Sequence, residues 1–308
     1  MRVDVHQHLW PDAFVDALRS RRRAPRMAGW TLVLDGEPDF AVDPADHDVA
    51  RRQAQASEDG LDLALVSPSS PLGTEWLPPE EAWPLLDAYH GGALALPTPF
   101  LPWASACLSE IDPAQVGKEL GRGCVGLQLP ATALLDARGY ERCAPLLDLL
   151  ETHDRPLFVH PGAAPAPAGP APAWWPALVP YVQQMHAAWF AFRAFGRPRH
   201  PRLRVCFAML AGLAPLHGER LRARGGDRGT ADPAVARGAV DPAVFVESSS
   251  YGTRAVDATV RVLGVDAVVL GSDRPYASPA DPGIGAAAAH AIRATNPTRL
   301  LDLEGVMG

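Results

Sequence analysis

The chain has no block of lysine and arginine beyond the run Arg19 to Arg23, and its formal net charge is −7 over 308 residues. Nucleic-acid surfaces need clustered cations to replace the counterions of a phosphate backbone, so this balance argues against such a partner. Arg19 to Arg23 reads as a solvated helix end. Cysteine is sparse: Cys107, Cys124, Cys143 and Cys206 stand far apart, with no Cys-x-x-Cys pair. That spacing fits reduced thiols better than a disulfide framework. No apolar run reaches the length of a membrane span, and the first residues lack the charged and apolar regions of a secretory signal. The expectation is a soluble, cytoplasmic protein with no membrane partner. No Gly-x-Gly-x-x-Gly follows the first apolar run, which removes the usual sign of a nucleotide-binding sheet.

What is present is an alternation of short apolar runs with longer helix-like stretches, in a chain with 47% hydrophobic residues. The apolar runs are Arg2 to His8, Leu61 to Ser67, Ala93 to Thr98, Cys124 to Leu129, Leu157 to His160, Leu203 to Ala208, Phe245 to Ser249 and Ala267 to Gly271. Between them the spacing predicts helices over Pro11 to Ser20, Asp46 to Gly60, Pro79 to His90, from about Asp112, and over Tyr140 to His153. In the second half it predicts Tyr181 to Phe195, Pro215 to Arg224, Ala255 to Leu263 and Gly283 to Ala294. Trp30 to Leu34 and Asp39 to Val42 flank Asp35-Gly36, a pair suited to the positive φ angles of a tight turn, and read as an inserted hairpin. Eight strands alternating with helices predict an α/β fold, a closed (β/α)8 TIM barrel, with a small β-hairpin insertion after the first helix. A doubly wound open sheet is the alternative. The chain reads as a single domain over 1–308, with the insertion at about 28–45. Four loops, Pro68 to Gly73, Pro99 to Ala106, Pro161 to Pro180 and Gly225 to Val240, would shape any pocket.

Chemistry-bearing residues fall at the carboxyl ends of these strands. Along an extended Arg2 to His8, alternate side chains share a face, so His6 and His8 point together. His160 ends the fifth strand and Asp273 follows the eighth. The carboxyl ends of all strands in a barrel surround one cavity, so three imidazoles and a carboxylate can meet there although they lie far apart in sequence. Such a set suits one divalent metal ion, with Zn²⁺ the first expectation and Mn²⁺ the second.

The segments VDVHQHLWP (Val3 to Pro11), PLFVHPG (Pro156 to Gly162) and LGSDRPY (Leu270 to Tyr276) resemble the amidohydrolase superfamily over nearly the whole chain. LRVCFAMLAGLAPLHGERL, Leu203 to Leu221, is most similar to its aminocarboxymuconate-semialdehyde decarboxylase-like branch. The resemblance implies a metal held by His6, His8, His160 and Asp273, a polarised water or substrate, and a homodimer. It further implies that Arg220 pairs with a substrate carboxylate and that Trp174 or Trp175 hangs over the pocket. Trp10, just after the metal pair, is a further candidate for the wall.

Gln128 stands near where other members carry a carboxylated lysine or a Glu for a second metal, so one metal is expected. Met209 stands where the branch has a histidine, and a thioether neither donates nor exchanges a proton. Glu247 is the first candidate to replace that acid/base group, with His186 and His217 weaker ones. Asp273, ligand and proton carrier at once, is the other catalytic residue. The sequence thus favours a metal-dependent hydrolase acting on a small carboxylate-bearing lactone, ester or amide. The alternatives are non-oxidative decarboxylation of a small unsaturated or aromatic acid, and a catalytically impaired metal-binding barrel.

Overall fold

The computed structural model describes residues 1–225, 240–279 and 283–302, so nearly all of the expected loop Gly225 to Val240 lies outside the described residues. Eight parallel strands form the ring: β1 (Val3–Gln7), β5 (Leu63–Val66), β6 (Phe100–Pro102), β7 (Leu127–Pro130), β8 (Leu157–His160), β9 (Val205–Phe207), β10 (Val244–Glu247) and β11 (Val268–Val269). They pair in the orders β1-β5-β6 and β7-β8-β9-β10-β11. Hydrogen bonds join the two arcs. Ala104 N donates to Gly126 O (2.9 Å) and Gln128 N to Ala104 O (2.8 Å) on one seam, and Val5 N donates to Leu270 O (2.9 Å) on the other. The strands run two to five residues and, Leu101 of β6 apart, are buried on both faces, as strands covered by an outer layer of helices are.

The helices cover the ring. α1 (Asp12–Ser20) turns Phe14, Val15 and Leu18 inward. In chain order follow α2 (Val49–Glu58), α3 (Pro79–Leu94), α4 (Pro113–Arg122) and α5 (Ala137–Thr152). Asp48, Asp112 and Asp136 each accept a backbone N–H in the first turn of α2, α4 and α5, satisfying donors that a helix start leaves free. Within the ring Trp103 stacks on Phe158 (5.3 Å between centroids) and donates its Nε1 to Val5 O at 3.0 Å, so a bulky aromatic pair fills the centre beneath the carboxyl ends.

The insertion is a three-stranded antiparallel sheet, β2 (Arg26–Ala28), β3 (Thr31–Val33) and β4 (Phe40–Ala41). Thr31 pairs with Ala41 and Leu32 with Phe40 around the Asp35-Gly36 turn. A Cβ on Gly36 would stand 2.5 Å from Ala164 O, so only glycine lets this turn lie against the loop after β8.

Three expectations are corrected. Ala93 to Thr98 is not a strand: α3 runs to Leu94, and the strand is Phe100–Pro102. An apolar run without clear periodicity does not separate a buried helix end from a buried strand. Pro215 to Arg224 is not one helix. Met209 to Leu213 form a left-handed turn with φ between 47° and 61°, and the right-handed helix α8 covers only Gly218–Ala223. Earlier in the chain α6 (Trp175–Leu178) interrupts the expected Pro161 to Pro180 loop, and α7 (Pro180–Ala191) follows. The left-handed turn costs about 1–2 kcal/mol per non-glycine residue, and packing against α7 has to offset it. Gly212 makes that packing possible, since a Cβ there would lie 2.7 Å from Val182 O. Gly283 to Ala294 is likewise divided, into Ala286–His290, a wide turn at Ala291–Thr295 and Asn296–Leu301.

Candidate metal centre

β1 carries His6 and is followed by His8, β8 ends on His160, and the chain after β11 brings Asp273 to the same point. One donor atom from each of the four lies within 4.8 Å of the others. His6 Nε2 is 3.1 Å from His8 Nε2, and Asp273 Oδ1 is 3.4 Å from His6 Nε2 and 3.2 Å from His8 Nε2. All three histidines are buried.

The far side of each ring decides which nitrogen carries a proton. His8 Nδ1 is 3.0 Å from Ser67 O and His160 Nδ1 is 2.8 Å from Pro161 O. A carbonyl oxygen only accepts, so these Nδ1 atoms donate and the Nε2 lone pairs face inward. His6 Nδ1 does the same to Glu247 Oε1 at 3.0 Å. Three imidazole lone pairs and a carboxylate oxygen aimed at one small volume repel one another in the absence of a proton or cation there. The donor set therefore fits a single divalent ion, with its outer hydrogen bonds already in place.

Charge states follow the same logic. Burial and the neighbouring His6 and His8 hold the pKa of His160 well below the ordinary value. Burial also lowers that of His8. Burial works against a charged His6 as well, but Glu247 and Asp273 outweigh it and its pKa is raised. Burial pushes Asp273 up, yet the imidazoles prevail and its carboxyl sits below the usual range.

A layer that the sequence reading passed over fixes β1 at this end. Asp4 accepts from His6 N (3.1 Å), Ser272 N (3.1 Å) and Gln7 Nε2 (2.8 Å), while Arg52 donates to His8 O (2.7 Å) and Gln7 Oε1 (2.6 Å). Asp4 shares the alternation of His6 and His8, which is the signal that could have found it. Arg52 has no such signal in a polar helix.

The tetrad opens into a cavity of about 380 Å³. Its walls are Leu32, Leu34 and Phe40 from the insertion, Leu72, Met209 and Tyr276, with Glu37, Asp39 and Tyr181 adding polar groups. Tyr276 stands 5.5 Å from His8, ring to ring.

Several expected residues are elsewhere. Glu247 is absent from the cavity lining: fully buried, it accepts from His6 Nδ1, Met209 N (2.7 Å) and Ser249 Oγ (2.7 Å). Arg220 is exposed on α8 and lines no part of the cavity within this chain. Trp174 is 54% exposed, and the loop lines the cavity through Ala173 and Ala177 instead. Trp10 is buried beneath the site, stacked on His47 at 4.5 Å. His186 and His217 lie ring to ring at 5.1 Å, outside the cavity. Gln128 is buried with its Nε2 on Pro68 O (2.8 Å) and Ser70 Oγ (3.0 Å), apart from the tetrad. Met209 does face the cavity, as an apolar wall.

No protein-family model matches the sequence, and no curated protein matches it at a significant level. Solved structures do. IDCase from Metarhizium anisopliae superposes with a TM-score of 0.78 at 17% identity, over 99% of this chain and 97% of that one. The 5-carboxyvanillate decarboxylase LigW from Sphingomonas paucimobilis gives 0.71 at 19% identity, with 98% of each chain covered. The 5-carboxyvanillate decarboxylase from Novosphingobium aromaticivorans, complexed with manganese and 4-hydroxy-3-methoxy-5-nitrobenzoic acid, gives 0.70 at 17%, over 98% of this chain and 96% of that one. At these identities the likeness is one of architecture: the chain shares the fold of these structures over nearly its whole length.

Proposed function

We propose that the protein is a metal-dependent decarboxylase of a small aromatic or unsaturated acid, using one divalent ion at His6, His8, His160 and Asp273. The observation that carries this reading is the inward convergence of three Nε2 lone pairs and Asp273 at the floor of an apolar cavity. The bound ion would supply Lewis-acid stabilisation of substrate oxygen. The rest is done by the chain. Leu32, Leu34, Phe40 and Leu72 exclude water and seat a flat apolar body. A dry wall disfavours a carboxylate more than neutral CO2, which helps the bond to break. Asp273 is 19% exposed toward the cavity and is the group placed to carry a proton to the carbon that loses CO2.

Hydrolysis, which the sequence favours, has weaker support. It needs a base that takes a proton from water and an acid that hands one to the leaving atom, and Asp273 would have to do both, because Met209 has no exchangeable proton and Glu247 is sealed behind His6. The structural neighbours named above are also decarboxylases where their names state an activity. Either Zn²⁺ or Mn²⁺ suits the ligands, and the manganese of one neighbour makes Mn²⁺ the first to test. Four buried, unpaired thiols suit a reducing cytoplasm, and a homodimer, with Arg220 exposed for such a contact, completes the reading.

The test is metal analysis of the purified protein, followed by CO2 release from hydroxy- and aminobenzoates beside a lactone and ester panel, with His160→Ala as control. One metal per chain and CO2 release lost in the variant is the expected result. Stoichiometric metal with turnover confined to lactones or esters would restore hydrolysis, and metal with no turnover at all would favour an inert barrel.

A further inference from the structure

The cavity holds a second polar station apart from the tetrad. Tyr181, in the first turn of α7, donates its hydroxyl to Glu37 Oε1 at 2.6 Å, and both side chains line the cavity. The two come from different parts of the chain and are held firmly. Glu37 follows the Asp35-Gly36 turn, which packs on Ala164 and Ala166 with no room for a Cβ at residue 36. Tyr181 precedes Val182, whose carbonyl touches Gly212 in the turn that begins at Met209. The station is therefore part of the wall that also carries Met209.

Its chemistry is one-sided. Among the described residues, no lysine or arginine lines the cavity, and the charged side chains beyond the tetrad are Glu37 and, at the rim, Asp39. Burial raises the pKa of Tyr181, and the charge of Glu37 adds to it. The phenol thus stays protonated and its hydrogen is committed to Glu37. What remains toward a ligand is acceptor capacity, on Tyr181 Oη and on the Glu37 carboxylate, whose pKa burial raises while hydrogen bonds from Tyr181 and the Ala164 backbone hold it down. A second carboxylate on the ligand would meet two acids and no cation.

We infer that Glu37 and Tyr181 form a specificity subsite for a hydrogen-bond-donating substituent, an amino group ahead of a hydroxyl, on the acid whose carboxylate goes to the tetrad. An amino group brings two hydrogens to two acceptors, where a hydroxyl brings one. The subsite also excludes dicarboxylates. This inference rests on the decarboxylase reading above and narrows its substrate to aminated or hydroxylated monocarboxylates with a flat apolar body.

Calorimetric titration of the Mn²⁺-loaded protein with benzoate, 3- and 4-aminobenzoate, 4-hydroxybenzoate and terephthalate tests it. At least one aminobenzoate should bind about 10-fold or more tighter than benzoate, the size of one well-made hydrogen bond to a charged group, with terephthalate weakest. Glu37→Gln and Tyr181→Phe should each shrink the ratio of aminobenzoate to benzoate affinity, compared within each variant so that any general change in affinity cancels. A wild-type protein that binds benzoate through His160 but shows no amino preference overturns the subsite and leaves the decarboxylase reading standing. The same holds if the preference survives in both variants. If no carboxylate binds, or binding is indifferent to His160→Ala, both fall together.

Discussion

The floor of the cavity and its cover are built on opposite plans. On the floor each of three histidines is held from behind by an acceptor, Glu247, Ser67 O or Pro161 O, and β1 is pinned through Asp4 and Arg52. The cover is made of residues 30–42 and the loop after β8. There Leu32 is buried but Phe40 is 48% exposed, and Glu37 ties the insertion to the opposite wall through the Ala164 backbone and the Tyr181 hydroxyl at the start of α7. Positioning to a fraction of an ångström matters where bonds break, and many fixed hydrogen bonds supply it. Shape and polarity of a substrate can be changed by altering a cover without disturbing that precision.

The contrast can be broken first at Asp273. Asp273→Asn should lower turnover about 10²- to 10⁴-fold, the usual cost of a lost proton carrier, while the three imidazoles retain metal in part. Turnover within 10-fold of wild type, measured with metal content, would remove Asp273 as the proton carrier.

Next comes the backing of the floor. Glu75 is buried and accepts from Ser70 Oγ, to which Gln128 also donates. Burial pushes its carboxyl up to about 7 from 4.5, so the folded state keeps a proton that the unfolded chain loses between these values. Its contribution is present below pH 4.5 and lost as pH rises through about 7. His47 and His90 work the other way: burial lowers both to about 3 from 6.5, so their contribution is complete above pH 6.5 and lost on acidification. In the window from 4.5 to 6.5 two histidines outweigh one Glu, and the protein should lose stability as pH falls. Glu75→Gln should be more stable than wild type at pH 8, by up to roughly 3 kcal/mol, with the advantage gone by pH 4.5. Equal melting temperatures at both pH values would show that Glu75 is ionised at neutral pH.

Glu247→Gln should weaken metal affinity about 10- to 100-fold, as loss of an outer partner of a ligating histidine does. Competition with a chelator reads this directly, and an unchanged affinity would free Glu247 from that role. The smallest effect belongs to the cover. Phe40→Ala should raise KM by about 2- to 10-fold for a ring-bearing acid, through lost apolar contact, with kcat and metal content unchanged. A fall in metal content would show that floor and cover are not independent.

The sequence made the floor legible because each ligand stands at the end of an apolar run, and a barrel brings such ends together whatever their separation. The cover was not legible. Glu37 and Tyr181 meet through the docking of a turn on a distant loop, and no periodicity within either segment reports it. Arg220 and Trp174 follow a family spacing, and the structure leaves both side chains exposed and outside the cavity lining of this chain. Glu247 reads from the sequence as a candidate acid/base group, and the sequence cannot show that Met209 N and Ser249 already occupy its oxygens. Ala93 to Thr98 misled for a local reason: alanine and leucine in alternation suit a helix end as well as a strand.

Five successive residues, Met209 to Leu213, wind the opposite way from the helices around them. Such a stretch restricts which replacements the chain will tolerate. A saturation library there should be emptied of proline and of Ile, Val and Thr, whose branched Cβ clashes in this conformation, before any demand of catalysis is felt. Installing an imidazole at residue 209 would therefore succeed only as a single exchange on this reversed coil, because swapping in a longer ordinary helical segment would unseat the wall it carries.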